Sequence, residues 1–237
     1  MSIRAIVNGK AAASEELRAA VGQMRSRGHV VDVRVTWEAG DAGRYAQEAA
    51  SDGVDVVAAA GGDGTIDEVV NGLMELDTPT TTAVAVIPFG TANDFARGCG
   101  IPVGDPLAAL ELAASEEATP IDVARCNERY FINVASGGFG AEVTASTPPE
   151  LKRALGGAAY SLMGLITAMR MTPYQARIIM PDGQLREGDL FVVAVGNGRQ
   201  AGGGFQLTPS AVLDDGLLDV MGVVNVEVPE LGSIFAE

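Results

Sequence analysis

The sequence predicts an α/β chain. A doubly wound, mostly parallel domain over residues 1–119 is followed by a β-rich, sandwich-like domain over 120–237. Three observations predict it. Apolar runs alternate with helix-spaced stretches through the first half, the pattern of βαβ units. Two glycine-containing turns stand directly behind two of those runs, where such sheets place their ligand loops. Near Thr119-Pro120 the pattern changes to apolar alternating runs with a single long helical interruption, as antiparallel strands read.

In chain order, Ile3–Val7 is a first strand, and Ser14 caps a helix that runs to Arg27. Val30–Val35 alternates as a strand, and Asp41–Ser51 has helical spacing. Val54–Ala59 is a continuous apolar strand, Ile66–Met74 a helix and Ala83–Ile87 a further strand. In the second half, strands are expected at Ile121–Cys126, Tyr130–Ala135, Tyr174–Met180, Leu190–Val195 and Leu217–Val224, with a long helix over Pro149–Met171. Val226–Leu231 reads as a strand exit into a helix start, with Pro229 near its first turn. The sequence stops seven residues after Glu230. Isolated helices need ~12–15 residues, so the sequence is expected to be cut short there.

Composition narrows the function classes. A formal net charge of −15 disfavours nucleic acid and general electrostatic attraction to anionic lipid. Cys99 and Cys126 give neither a disulfide framework nor a metal spacing, so a reduced cytoplasm is the expected compartment. The apolar part of the N-terminus is too short for a signal peptide. The uncharged stretch Ala154–Met169 falls short of the ~20 apolar residues of a spanning helix and suits a buried one. His29 is the only histidine, which leaves Ser-His-Asp catalysis and histidine metal sites little to work with.

Four segments carry chemistry. Gly61-Gly62-Asp63-Gly64-Thr65-Ile66 joins a strand to a helix, so bare N–H groups and a helix dipole converge as they do around phosphate. Asp63 conflicts with that reading, because a carboxylate repels phosphate. A bound Mg2+ or a proton-accepting role would resolve the conflict. Pro88–Phe95 occupies the same slot behind the next strand. Its Thr91 can reach phosphate or ribose, and Asn93 and Asp94 serve equally as turn or capping residues. Gly196–Ala201 fits G-x-G-x-x-A, but glycines rather than a helix follow, so the Rossmann reading fails and a flexible loop is expected. Asp214-Asp215-Gly216 is a turn whose acids could also hold a hard cation. There is no G-x-x-x-x-G-K-[ST] and no protein-kinase motif set.

Taken together, Gly61–Thr65 with Glu68–Gly72, Gly90–Phe95, Arg34–Glu38, Phe131–Gly140, Gly196–Gly204 and Asp215–Leu218 resemble the YegS-type bacterial lipid kinases of the diacylglycerol kinase superfamily. The resemblance implies a NAD kinase/diacylglycerol kinase-like fold, with a nucleotide-binding domain, a sandwich-like domain and an active site between them. It implies transfer of the ATP γ-phosphoryl group to a lipid hydroxyl of diacylglycerol or phosphatidylglycerol type. By position, Thr36 and Thr91 would contact ATP, and Ala60, Gly61, Gly62, Asp63, Gly64, Thr65 and Ile66 would form the phosphate loop. Backbone oxygens of Val212 and Leu217 with the Asp215 carboxylate would hold a structural Mg2+, and Asp63 would act through a catalytic one. Helix capping by Asp63 is compatible with that role. The implied partners are ATP and a membrane lipid met peripherally at the inner face, with homodimerisation left open and no nucleic acid.

One departure stands out. The resemblance places the family's general base, a glutamate in an Asp-Gly-Glu segment, in the second domain beyond the point where this sequence stops; Asp182-Gly183-Gln184 lies elsewhere and lacks the acid. Loss of a general base typically costs ~10²–10⁴-fold. Two alternatives accompany the lipid kinase: a NAD kinase-like small-molecule kinase, which shares the Gly-Gly-Asp-Gly-Thr turn, and a nucleotide-binding module without turnover, as the missing base suggests. Gly90–Phe95 argues for the lipid branch over the first, because NAD kinase would carry an Asn-Glu pair there.

Overall fold

The computed structural model describes residues 1–138, 173–180 and 182–224. The helix expected over Pro149–Met171, the stretch Ala154–Met169 and the end segment Val226–Leu231 lie outside the described residues. The chain forms two compact units. One comprises Met1–Asn133 and Val212–Leu217; the other takes the described residues of Val134–Ala211 and Leu218–Glu237.

The first unit is built on β1 (Ser2–Val7), β2 (Val30–Val35), β3 (Val56–Gly61) and β4 (Ala83–Pro88), all parallel, in the order β2-β1-β3-β4. Its helices are α1 (Glu15–Ser26), α2 (Asp41–Ser51), α3 (Asp63–Met74), α4 (Asp94–Gly98) and α5 (Pro106–Ser115). Ile3, Ala5 and Val7 of β1 join Leu17, Val21 and Met24 of α1 and Leu110 of α5 in one core. Ile6 points to the other face, with Ala42, Ala46 and Ala49 of α2 and Ile66 and Val69 of α3. This alternation puts helices on both faces, so the sheet is doubly wound. Ser14 caps α1 by accepting the Leu17 N–H at 3.1 Å. The hairpin β5 (Ala124–Cys126) and β6 (Arg129–Phe131) packs in this unit through Asn71 of α3, whose amide donates to the Tyr130 carbonyl at 2.8 Å and accepts the Tyr130 N–H at 2.9 Å.

The second unit is antiparallel. A long β9 (Leu185–Gly196) pairs β12 (Asp219–Val224) and β7 (Val134–Gly138) along its C-terminal half, and β8 (Tyr174–Ile179) along its N-terminal half. The segment expected as a flexible loop is an ordered hairpin of β10 (Gln200–Ala201) and β11 (Phe205–Gln206). Its turn is Gly202, Gly203 and Gly204 at φ +70°, +96° and +102°, a conformation that glycine adopts without a Cβ penalty.

Several element expectations shift. The strand expected over Tyr130–Ala135 is two, β6 in the first unit and β7 in the second, and those expected from Val54, Ile121 and Leu217 begin at Val56, Ala124 and Asp219. β3 ends at Gly61 rather than Ala59, α3 begins at Asp63 rather than Ile66, and β9 begins at Leu185 rather than Leu190. Helices α4 and α5 were not expected, although Asp105 and Pro106 carry a start signal: the Asp105 carboxylate accepts the Ala108 N–H at 3.0 Å. Among the described residues, no helix is long and apolar enough to cross a membrane.

Candidate active site

All four parallel strands end at one edge. Val7 pairs with Val35 and Ala60, and Gly61 with Pro88. Three hydrogen bonds extend the ladder one step further: Thr36 N–H to Val7 O at 2.9 Å, Asn8 N–H to Ala60 O at 2.9 Å and Phe89 N–H to Gly61 O at 2.8 Å. Thr36, Ala60–Ile66 and Thr91 therefore gather at the same carboxyl edge. The strand order reverses between β1 and β3, because the chain leaves β1 toward β2 and returns on the other side. That switch point is where open α/β sheets hold ligands. It is flanked by Gly61–Thr65 and by Asn8-Gly9-Lys10, a loop that sequence reasoning missed. A polar turn behind the first strand was the signal, and only the strand order gives it meaning.

The two glycine turns touch. A Cβ on Gly90 would lie 2.5 Å from the Gly62 Cα, and one on Gly62 would lie 3.0 Å from the Gly90 Cα. Gly62 is the N-cap of α3 and brings no side-chain cap, so a phosphate can approach the first N–H groups of that helix. Asn93 closes the second turn from the left-handed region, φ 51°, accepting the Gly90 N–H at 2.7 Å and donating to the Gly90 carbonyl at 2.9 Å.

The expectation that Asp63 lies inside the turn is corrected. It is the first residue of α3, where the helix dipole favours a carboxylate. Its Oδ1 accepts the Phe95 N–H at 3.0 Å and its Oδ2 the Asp94 N–H at 3.2 Å. Asp63 thus caps α4, whose own N-cap, Asn93, provides no side-chain cap. It ties the second glycine turn to the first.

Other side chains of α3 extend the arrangement. Glu68 Oε1 accepts the N–H groups of Gly40 and, at 3.2 Å, Ala42, capping α2. Burial pushes the half-buried Asp67 carboxyl up; Arg129 opposes that shift and the Asp63 charge reinforces it.

Two family models cover nearly the whole chain. Residues 2–126 match the diacylglycerol kinase catalytic domain, and residues 133–236 match the YegS C-terminal NAD kinase beta sandwich-like domain. A protein of Chromohalobacter salexigens named "Probable lipid kinase YegS-like" is 52% identical over 91% of this chain and 69% of its own. One of the same name from Xanthomonas oryzae pv. oryzae is 50% identical over 92% of this chain and 72% of its own. This chain belongs to the YegS-like lipid kinases. A solved structure of a diacylglycerol kinase from Bacillus anthracis, 31% identical, superposes at a TM-score of 0.76 over 100% of this chain and 78% of that one.

As a member of that family the protein is a kinase, and its glycine turns are those of a diacylglycerol kinase catalytic domain. The remaining expected site residues of this kinase lie apart in sequence but in the same unit. Val212, Asp215 and Leu217 belong to a segment anchored on Asp122: the Asp122 N–H donates to the Leu213 carbonyl at 2.6 Å, and Asp122 Oδ2 accepts the Gly216 N–H at 2.7 Å. Asp215 Oδ1 accepts the Leu217 N–H at 3.0 Å in an exposed turn. Among the described residues there is no group of three or more His, Cys, Asp or Glu side chains suited to a metal. A set of backbone carbonyls with one carboxylate is of a different kind, and its hard oxygen donors suit Mg2+.

Proposed function

We propose that this kinase transfers the γ-phosphoryl group of ATP to the hydroxyl of a diacylglycerol- or phosphatidylglycerol-like lipid, with Mg2+. The observation that carries this reading is the contact of two glycine turns at the carboxyl edge of the sheet, pinned by Asp63. In this reading Thr36 and Thr91 contact ATP, and Ala60–Ile66 form the phosphate loop, its Thr65 and Ile66 N–H groups closing the turn on the Gly62 carbonyl and the N–H groups before them facing phosphate. Backbone oxygens of Val212 and Leu217 with the Asp215 carboxylate hold a structural cation. Asp63, while capping α4, keeps oxygen lone pairs for a second cation. Mg2+, when bound, neutralises charge on the transferring phosphoryl group. The functional division into residues 1–119 and 120–237 belongs to the same proposal, as do peripheral contact with the inner membrane face and a cytoplasmic location.

The test is incubation with γ-labelled ATP, NAD and mixed phospholipid micelles. Label is expected in the organic-extractable lipid, and label in NADP instead would overturn the lipid assignment. Asp63→Asn keeps an oxygen to accept an α4 N–H and removes the charge, so labelling should fall on the order of 100-fold or more with the circular dichroism spectrum unchanged. Undiminished labelling would remove Asp63 from the phosphoryl-transfer machinery.

A further inference from the structure

We propose that Trp37 is the stacking platform for the purine base of the nucleotide, an assignment that rests on the nucleotide reading above. Trp37 is the single tryptophan of the chain and is 94% exposed. Tryptophan is highly buried on average, so a ring this open has its faces free to stack on a ligand. It follows Thr36 directly, at the edge where the phosphate loop emerges.

The backbone beneath the ring is fixed from two sides. The buried Asp41 accepts the Trp37 N–H at 2.8 Å and the Glu38 N–H at 3.1 Å through one oxygen. Glu68, from the helix that begins at the phosphate loop, accepts the Gly40 and Ala42 N–H groups. A surface loop held in this way offers its ring at low entropic cost. The distance also fits. β2 stands two strands from β3, or about 10 Å across the sheet, a span that a ribose and its first phosphates bridge.

A membrane anchor is the competing use of an exposed tryptophan. The loop argues against it, since one exposed apolar side chain, Val35, precedes the ring, while Glu38 follows it and the Asp41 carboxylate holds its backbone N–H. An interfacial anchor needs apolar companions, and the net charge of −15 opposes an anionic surface.

Because the indole is unique, its fluorescence reports this one residue. ADP and ATP should quench it saturably, and inorganic tripolyphosphate should not. Calorimetry should show Trp37→Ala raising the ATP Kd by roughly 10- to 100-fold and Trp37→Phe by much less, the scale of base–aromatic stacking. Unchanged ATP affinity in Trp37→Ala overturns the stacking assignment while leaving nucleotide binding in place. Failure of the unmodified chain to bind ATP overturns both. A blue shift on phosphatidylglycerol vesicles with no response to nucleotide overturns it in favour of membrane contact.

Discussion

Asp41 does three things with one carboxylate: it accepts the N–H groups of Trp37 and Glu38 and pairs with Arg44 at 2.6 Å. The backbone donation from Trp37, followed by the Arg44 contact and Glu38, holds its carboxyl down at about 2, from an ordinary 3.8. A group depressed in the fold contributes stability above its unfolded value, and that contribution disappears as pH falls through its folded value. Asp41→Asn should therefore lower the Tm at neutral pH, and the gap to the parent should close between pH 3.8 and about 2. A gap that persists at pH 2 would mean that the amide fails for steric rather than electrostatic reasons. At this scale the sequence is readable where partners are close. Asn93 lies three residues from the Gly90 it closes, and turn chemistry at such offsets is local. Asp63 shows the limit. Its acceptor role depends on N–H groups 31 and 32 residues away, and nothing in the Gly-Gly-Asp-Gly spacing reveals them.

Two helical glycines make opposite demands on their elements. A Cβ at Gly22 on α1 meets nothing within 4 Å, so Gly22→Ala should stabilise by about 0.5–1 kcal/mol through helix propensity. A Cβ at Gly72 on α3 would lie 2.4 Å from the Gly43 carbonyl oxygen and 2.5 Å from its Cα, so α2 and α3 must part to admit it. Gly72→Ala should cost roughly 1–3 kcal/mol despite the same propensity gain. Urea midpoints of the two variants should move in opposite directions, and parallel shifts would refute the close helix crossing. Most elements of the first half are legible from period alone. β2 and α2 have the expected bounds because Val30–Val35 alternates and Asp41–Ser51 has a small-residue stripe. The start of α3 was hidden because Gly64 and Thr65 are poor helix formers that the turn of helix nonetheless includes. α5 was hidden for another reason: Leu107-Ala108-Ala109-Leu110 and Leu112-Ala113-Ala114 surround the helix instead of forming a stripe, so no period marks it.

For the whole molecule, the fold class follows from order along the chain: alternating strands and helices, then strands alone. The strand order β2-β1-β3-β4 does not, because a reversal between β1 and β3 depends on how crossovers wrap the sheet. Without it the Asn8-Gly9-Lys10 loop has no claim to the site. Likewise, the grouping of the β5–β6 hairpin with the first unit, despite the β-rich look of the sequence after Thr119-Pro120, rests on the buried Asn71 and on Val123 and Ile132, which flank the hairpin and pack in the core of α2 and α3. Considered together, Asp63, Glu68 and Asn71 make α3 the common support of three distant segments: the start of α4, the loop into α2 and the β6 hairpin. A helix with three such dependants cannot fray privately. Amide hydrogen exchange at Ala42, Phe95 and Tyr130 should share one opening free energy with the α3 amides, so that these scattered positions behave as a single foldon. In Asn71→Ala the Tyr130 amide alone should leave the group, and independent exchange at all three sites in the parent would show that the helix carries no common load.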